Sequence, residues 1–338
     1  MRIEQFDPAN EAELLKACHE IVVAGAPIDH PSMPPWPLQS FRYKWTRSYD
    51  SAPSEAWLAT DDSGEPAGCY LLRLPVKENV TLAGVILQVP PARRRAGIGS
   101  ELLAHCIGRA RRAGRARMGG EARDGSPGAA FAQAVGAQGG IAEVNRILDI
   151  DSSLPERLDR LQAEAQAKAT GYSLLSWLGA TPEEHLEEVA RLNNAMTDAP
   201  RDEGVQATKW DGQRVAEQEE HALAHGLRFR TVAARHDGTG ELAALTQVCT
   251  DDGTPGWAFQ QITAVSKEHR GHRLGLLVKV ANLEQLTTGD SSVRRILTGN
   301  ADANKHMIAI NETLGFRVSD HYRSWDLDLA EGPGSSGS

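Results

Sequence analysis

Apolar and polar positions change period repeatedly along the chain, and each change marks an element. Residues 1–6 predict a strand, after which Leu14, Leu15, Ala17, Cys18 and Val22 fall at helical spacing. Residues 26–38 hold five prolines, at 27, 31, 34, 35 and 37, beside Asp29 and His30; they predict either a substrate-facing lid or a surface connection. Segments 56–60 and 67–75 read as strands paired around the turn 61–65, and 80–89 as the next strand. A helix over 97–112, a short strand near Ala116, a helix over 127–135 and a strand over 144–150 follow. Leu154, Leu158, Leu161 and Ala165 then keep a helical stripe that Gly171 ends.

A similar order begins again at a strand over 172–178. Thr181, Pro182 and Glu184 have the spacing of a capping box opening a helix toward Met196, and a second helix spans about 212–225. Strands over 229–235, 242–250 and 257–265 come next, then a helix carrying Leu274, Leu277, Val278 and Ala281, a strand over 295–298 and a helix over 305–313. The closing strand alternates, with Trp325, Leu327 and Leu329 on one face. Two features repeat at nearly one offset. Arg94 answers to Arg270 and Gly99 to Gly275, 176 residues on, while 131–137 answers to 310–316 at 179. This is an internal duplication: a first domain at 1–150, a linker helix at 151–171, a second domain at 172–330 and a tail at 331–338.

Composition narrows the function. With 41% hydrophobic and 24% charged residues, the 338-residue chain has the makeup of a globular protein, and two domains of ordinary size fit its length. No apolar run approaches the roughly 20 residues of a membrane helix, and the start has no signal core, so a cytoplasmic protein without membrane contact is expected. Cys18, Cys69, Cys106 and Cys249 are too scattered for a zinc site or a disulfide framework. A net charge of −9 argues against nucleic acid as a partner, and the arginines between 93 and 117 are read as a solvated helix face plus an anion-holding turn.

In both halves that turn runs from strand to helix. Such a connection aims several backbone N–H groups and the positive end of a helix dipole at one point, which makes an anion site. Arg270, Gly271, His272, Arg273, Leu274 and Gly275 form one; Arg94, Arg95, Ala96, Gly97, Ile98, Gly99 and Ser100 form the other. These motifs resemble the signature of the GNAT superfamily of N-acetyltransferases: Arg or Gln, two residues, Gly, one residue, then Gly or Ala. The resemblance covers nearly the whole chain, and the segment 269–279 looks like tandem acetyltransferases of actinobacterial type, with mycothiol synthase a distant relative. It implies an α/β fold with a mixed, mostly antiparallel sheet: two tandem GNAT acyl-CoA N-acyltransferase domains. A doubly wound nucleotide fold is the weaker alternative, because the hairpins are antiparallel.

The resemblance implies acetyl-CoA, or another short acyl-CoA, as cofactor. Its pyrophosphate would lie in the turns, and its pantetheine arm along Thr263, Ala264 and Val265 or Leu87, Gln88 and Val89. Arg273 departs from the pattern, which has glycine there; its side chain would grip phosphate or crowd the turn. Asn300 to Asn304 and Met307 resemble the family's C-terminal segment, where an Asn such as Asn304 contacts the cofactor. Chemistry is therefore expected in the second domain.

An alkyl ammonium has a pKa of about 10, so acylating an amine calls for a base, often acting through water. Asp198, Asp202, Glu203, His221 and His225 are the candidates. The thiolate leaving group is commonly served by a tyrosine, but that position holds Asn311 in the second domain and Ala132 in the first. Tyr322, Ser266 or water would donate instead, or the thiolate would leave unassisted. His269, His272 and His306 suggest a metal, yet two of them sit beside arginines that repel a dication, and no metal is expected. The implied activity is direct acyl transfer to an amine or hydroxylamine of a small molecule, in natural-product tailoring, resistance or thiol metabolism, by a monomer or homodimer. A non-catalytic acyl-CoA sensor, and an acyltransferase acting on protein or aminoacyl-tRNA, are the alternatives.

Overall fold

A computed structural model describes residues 1–46, 54–198 and 201–330, the side chains of Thr197 and Asp198 excepted; the tail 331–338 lies outside them. The chain divides into two compact units. Unit 1 gathers Met1–Ala142, Asp202–Gln206 and the residues from Asp320 on; unit 2 gathers Glu143–Arg201 and Ala207–Ser319.

Unit 1 runs β1 (Arg2–Phe6), α1 (Ala12–Asp29), α2 (Leu38–Thr46), β2 (Ser54–Thr60), β3 (Pro66–Arg73), β4 (Leu82–Gln88), α3 (Ile98–Arg112), β5 (Arg117–Arg123) and α4 (Pro127–Ala134). The strands pair in chain order, antiparallel except for the parallel pair β4–β5. One face of the sheet buries Leu102, Leu103, Cys106 and Ala110 of α3, at helical spacing; another cluster holds Leu15, Cys18 and Ile21 of α1 with Phe41 and Trp45 of α2. Each Leu, Ile or Phe among them contributes about 1.5–3 kcal/mol. The prolines do not make one long loop. Helix α1 continues through Pro27 in its last turn, where the proline forgoes a single helical hydrogen bond, and α2 opens at Leu38.

Unit 2 contains α5 (Leu154–Gln166), β7 (Tyr172–Leu178), α6 (Leu186–Asn194), α7 (Gly212–Ala224), β8 (Leu227–His236), β9 (Leu242–Asp251), β10 (Trp257–Val265), α8 (Leu274–Gly289), β11 (Arg295–Ala301) and α9 (Lys305–Leu314). Strands β7 to β10 are antiparallel neighbours, and β10–β11 is the parallel pair. At its centre lies α8, with eleven buried residues, packed by Leu154, Leu158, Leu161 and Ala165 of α5. Thr181 does not cap a helix. Its N–H and hydroxyl go to the buried Glu219 carboxylate at 2.6 and 3.0 Å, and α6 starts only at Leu186, after a 3-10 turn over Glu183–His185.

The closing strands cross the expected boundaries at 150 and 172. Of β6 (Gln138–Asp149), residues 143–149 pair antiparallel with β11 in unit 2. Of β12 (Arg317–Asp328), residues 322–328 pair antiparallel with β5 in unit 1. Each half of the sequence therefore supplies the strand that completes the other unit's sheet.

Candidate functional site

In unit 2 the parallel pairing of β10 with β11 ends at Phe259 and Leu297. Beyond it β10 stays bonded to β9 through Thr263, Ala264 and Val265, while no strand among the described residues pairs with its other edge there. The two strands splay apart, leaving backbone N–H and C=O groups free to pair with an extended ligand. A β-bulge between Gln260 and Thr263 re-aims this edge. It is braced from within: Gln260 Nε2 donates to Gln247 O at 2.8 Å and to Ile262 O at 3.1 Å, and the Thr246 and Thr263 hydroxyls meet at 2.8 Å.

Unit 1 has the same splay. Here β4 leaves β5 after Gly84 and Gly119 while keeping Val85 to Gln88 on β3, but its register is regular, without a bulge.

Each free edge feeds a turn. In unit 2 a 3-10 turn over Lys267–His269 leads to extended Arg270, then Gly271 and Arg273 take φ of +89° and +55° before α8 begins. In unit 1 the turn Pro91–Arg93 leads to extended Arg94, and the left-handed positions are Arg95 at +64° and Gly97 at +84°. The two turns hold the same pair of left-handed conformations with arginine and glycine in opposite order, so each carries one strained side chain. The Arg273 side chain neither crowds its turn nor enters it. It points to Glu164, 3.3 Å away and exposed. Nothing lies within 4 Å of where a Cβ would stand on Gly97 or Gly271, leaving room above the first N–H groups of α3 and α8, which have no intrahelical partner. Gly275 serves packing instead: a Cβ there would meet Ile310 at 3.3 Å and Val265 at 3.5 Å.

The surroundings of the turns differ. Arg94 donates Nε–H to Val89 O at 2.9 Å and grips both oxygens of Asp29, at 3.1 and 2.6 Å, so a carboxylate from the end of α1 stands against the unit 1 turn. In unit 2, His269 Nδ1 hydrogen-bonds Tyr172 Oη at 2.7 Å, with His236 5.1 Å from it ring to ring. Burial, then the neighbouring His236, hold His269 below the usual histidine range. These rings pack the root of the turn. Among the described residues no group of three or more His, Cys, Asp or Glu is placed to hold a metal, and no helix is long and apolar enough to cross a membrane.

The other predicted residues separate. Asn311 is fully buried, accepting from Lys279 Nζ at 2.8 Å and donating to Asn300 Oδ1 at 2.7 Å. Asn304 caps α9, its Oδ1 taking the Met307 N–H. Tyr322, expected to serve the second domain, belongs to unit 1 through β12, where its hydroxyl meets His30 Nδ1 at 2.9 Å. Glu203 and Asp202 also fall in unit 1: Arg117 donates to the Glu203 carbonyl at 3.0 Å, and the Ile141 N–H to Asp202 Oδ1 at 2.7 Å. On α7, His225 Nδ1 lies 2.8 Å from the His221 carbonyl. The Asp198 side chain lies outside the described residues. Three residues outside the candidate catalytic and cofactor-binding sets gain importance: Asp29, Gln260 and Lys279.

A mixed sheet whose parallel pair splays open onto a strand-to-helix turn, formed twice, defines the fold class. It is the tandem GNAT fold. Residues 15–131 match the acetyltransferase (GNAT) family. The whole chain is similar to a tandem GNAT protein from the clavulanic acid biosynthesis pathway, solved without AcCoA, at 29% identity over 99% of each chain with a TM-score of 0.80. A GCN5-related N-acetyltransferase from Sphaerobacter thermophilus shares the fold at 15% identity, over 97% of this chain and 95% of that one, with a TM-score of 0.66. So does a glucosamine N-acetyltransferase region of a fungal multi-domain β-N-acetylglucosaminidase, at 12% identity and a TM-score of 0.64, over 96% of this chain and 38% of that one. No curated protein sequence matches the chain.

Proposed function

We propose that the protein transfers an acetyl or other short acyl group from acyl-coenzyme A to an amine or hydroxylamine of a small molecule, and that unit 2 carries the chemistry. The observation that supports this most is the bulged, braced free edge of β10 leading into the N-terminus of α8; β4 in unit 1 has the edge without the bulge. Likeness to a clavulanic acid pathway protein favours natural-product tailoring as the setting.

The residues fit acyl-coenzyme A. Thr263, Ala264 and Val265 offer an open strand edge to the amide-bearing pantetheine arm. The N–H groups of His272, Arg273, Leu274 and Gly275, with Arg270 at the head of the turn, suit a pyrophosphate. Bound there, the thioester would supply an acyl carbon activated for direct attack. An N–H of this bulged edge would be the group to polarise the thioester carbonyl oxygen as negative charge develops on it. Removing the acceptor's proton falls to a carboxylate or histidine of unit 2 acting through water, with Asp198, His221 and His225 as the residues to test.

A second reading, an acyl-coenzyme A sensor without turnover, is favoured by one observation: Asn311 stands where an acid would serve the leaving group, and Tyr322 lies in unit 1. One assay separates the two. Acetyl-CoA is mixed with a panel of small primary amines and hydroxylamines, and free thiol and acylated product are followed. The enzyme reading expects product that depends on the protein and is lost in His272→Glu, which puts a carboxylate into the turn. Binding of acetyl-CoA with no product from any amine would favour the sensor.

A further inference from the structure

Unit 2 carries a buried polar line that unit 1 lacks. Lys279 lies on α8 one turn beyond Gly275, on the face that meets Ile310 and Asn311 of α9, and it is 1% exposed. Its Nζ donates to Asn311 Oδ1 and Asn311 Nδ2 to Asn300 Oδ1, at 2.8 and 2.7 Å. The corresponding steps of α3, α4 and β5 in unit 1 hold Leu103, Ala132 and Ala122. The fold therefore closes with small or apolar groups at these places. Keeping an amine there exacts a large desolvation cost, which is typical of functional positions.

The line has a direction. A charged amine has only N–H to give, so Asn311 turns its oxygen to Lys279 and its amide N–H groups toward Asn300. Asn300 must answer with its oxygen, which leaves its own Nδ2–H groups for whatever lies beyond. It is half-buried, and it stands three residues past Leu297, where β11 loses β10. Hydrogen bonds aligned in a low-dielectric interior polarise one another, so the Lys279 charge strengthens the last donor.

We infer that Lys279 and Asn311 are positioning residues that make Asn300 a polarised N–H donor toward the sulfur of coenzyme A in unit 2, the task for which this chain has no tyrosine. The inference rests on the acyl-transfer reading above. As the acceptor nitrogen bonds to the acyl carbon and the carbon–sulfur bond breaks, the electron pair comes to rest on sulfur. Asn300 donates to it there, while the acceptor's surplus proton passes to water. Burial alone lowers the Lys279 amine, to about 7, and among the described residues no charged group contributes to that shift. Negative charge on the sulfur would hold Lys279 protonated, and by linkage Lys279 favours the thiolate.

The test uses free coenzyme A, which needs no acceptor, in an Ala96→Glu background that closes the unit 1 turn. The ultraviolet difference spectrum between bound coenzyme A and bound desulfo-coenzyme A reports the thiolate, and it is titrated with pH. The midpoint is expected about one pH unit lower with Lys279 and Asn300 intact than in Lys279→Met or Asn300→Ala. Equal midpoints in the three proteins would overturn the inference while leaving the acyl-transfer reading standing. Failure to bind coenzyme A, or loss of nothing in His272→Glu, would overturn both. Lys279→Met removes a buried charge but leaves Asn311 Oδ1 without its donor, so the melting temperature of each variant is measured beside its midpoint, and a shifted midpoint counts only where the fold is kept. If that variant does not fold, Asn300→Ala, at the half-buried end of the line, decides.

Discussion

The guanidinium of Arg94 and the carboxylate of Asp29 meet face to face, with two parallel hydrogen bonds of 3.1 and 2.6 Å. The contact ties the end of α1 to the turn between β4 and α3, and it sets a negative charge beside N–H groups suited to a pyrophosphate. Replacing Asp29 by Asn is therefore expected to raise the number of acetyl-CoA sites from one to two, measured by calorimetry. It should also cost about 1–2 kcal/mol of stability, through loss of a charge-assisted hydrogen bond. Stoichiometry that stays at one would show that Asp29 does not close unit 1.

The reciprocal order of Arg and Gly in the two turns predicts opposite neutral sites. Arg273 and Arg95 hold left-handed backbone that glycine adopts without penalty. Arg273 gains only an exposed ion pair with Glu164, which is worth little. Arg273→Gly and Arg95→Gly should each stabilise the protein by about 1 kcal/mol, or about 2–4 °C in melting temperature, as read by calorimetric scans. Substituting Ala at Gly97 or Gly271 should do the reverse.

The pairing of His30 with Tyr322 predicts a pH dependence in unit 1. Burial, the largest cause, lowers the His30 pKa; Asp29 and Asp320 oppose it, and Lys44 and Arg123 add to it. A histidine lowered on folding takes up its proton more readily unfolded. Its contribution is thus complete above the unfolded value of about 6.5 and fades as the pH falls through that value. Between pH 7.5 and 5.5, about one unit either side of that value, the wild type should lose more melting temperature than His30→Gln. His105 and His269, also lowered, are common to both proteins and cancel. Parallel curves would remove His30 from the account.

Much of this architecture was legible from local patterns. Strands β7 and β10 match their expected spans, because each is a compact run bounded by Gly or Pro turns. The two turns were legible because glycine spacing, arginine and a following apolar helix occur together. The strand exchange was not, since β6 and β12 are both twelve-residue strands and alternation fixes which face is buried without naming the neighbour. For that reason Tyr322 reads as a second-domain residue in the sequence, whereas β12 carries it into unit 1. Thr181 fitted a capping box locally, but the distant Glu219 outbid it. Lys279 carries a signal in the sequence: it interrupts a helix otherwise apolar on every side from Leu274 to Ala281, and a helix of that kind is buried all round.

The central claim is that acyl-coenzyme A binds in the splay and turn of unit 2. Ala96 and His272 occupy the same step of their two turns, both exposed, so a glutamate at either tests one unit at a time. Acetyl-CoA is titrated calorimetrically into the wild type, Ala96→Glu and His272→Glu. One site, kept in Ala96→Glu and lost in His272→Glu, is the predicted result. No binding to the wild type, or loss in Ala96→Glu alone, would contradict it.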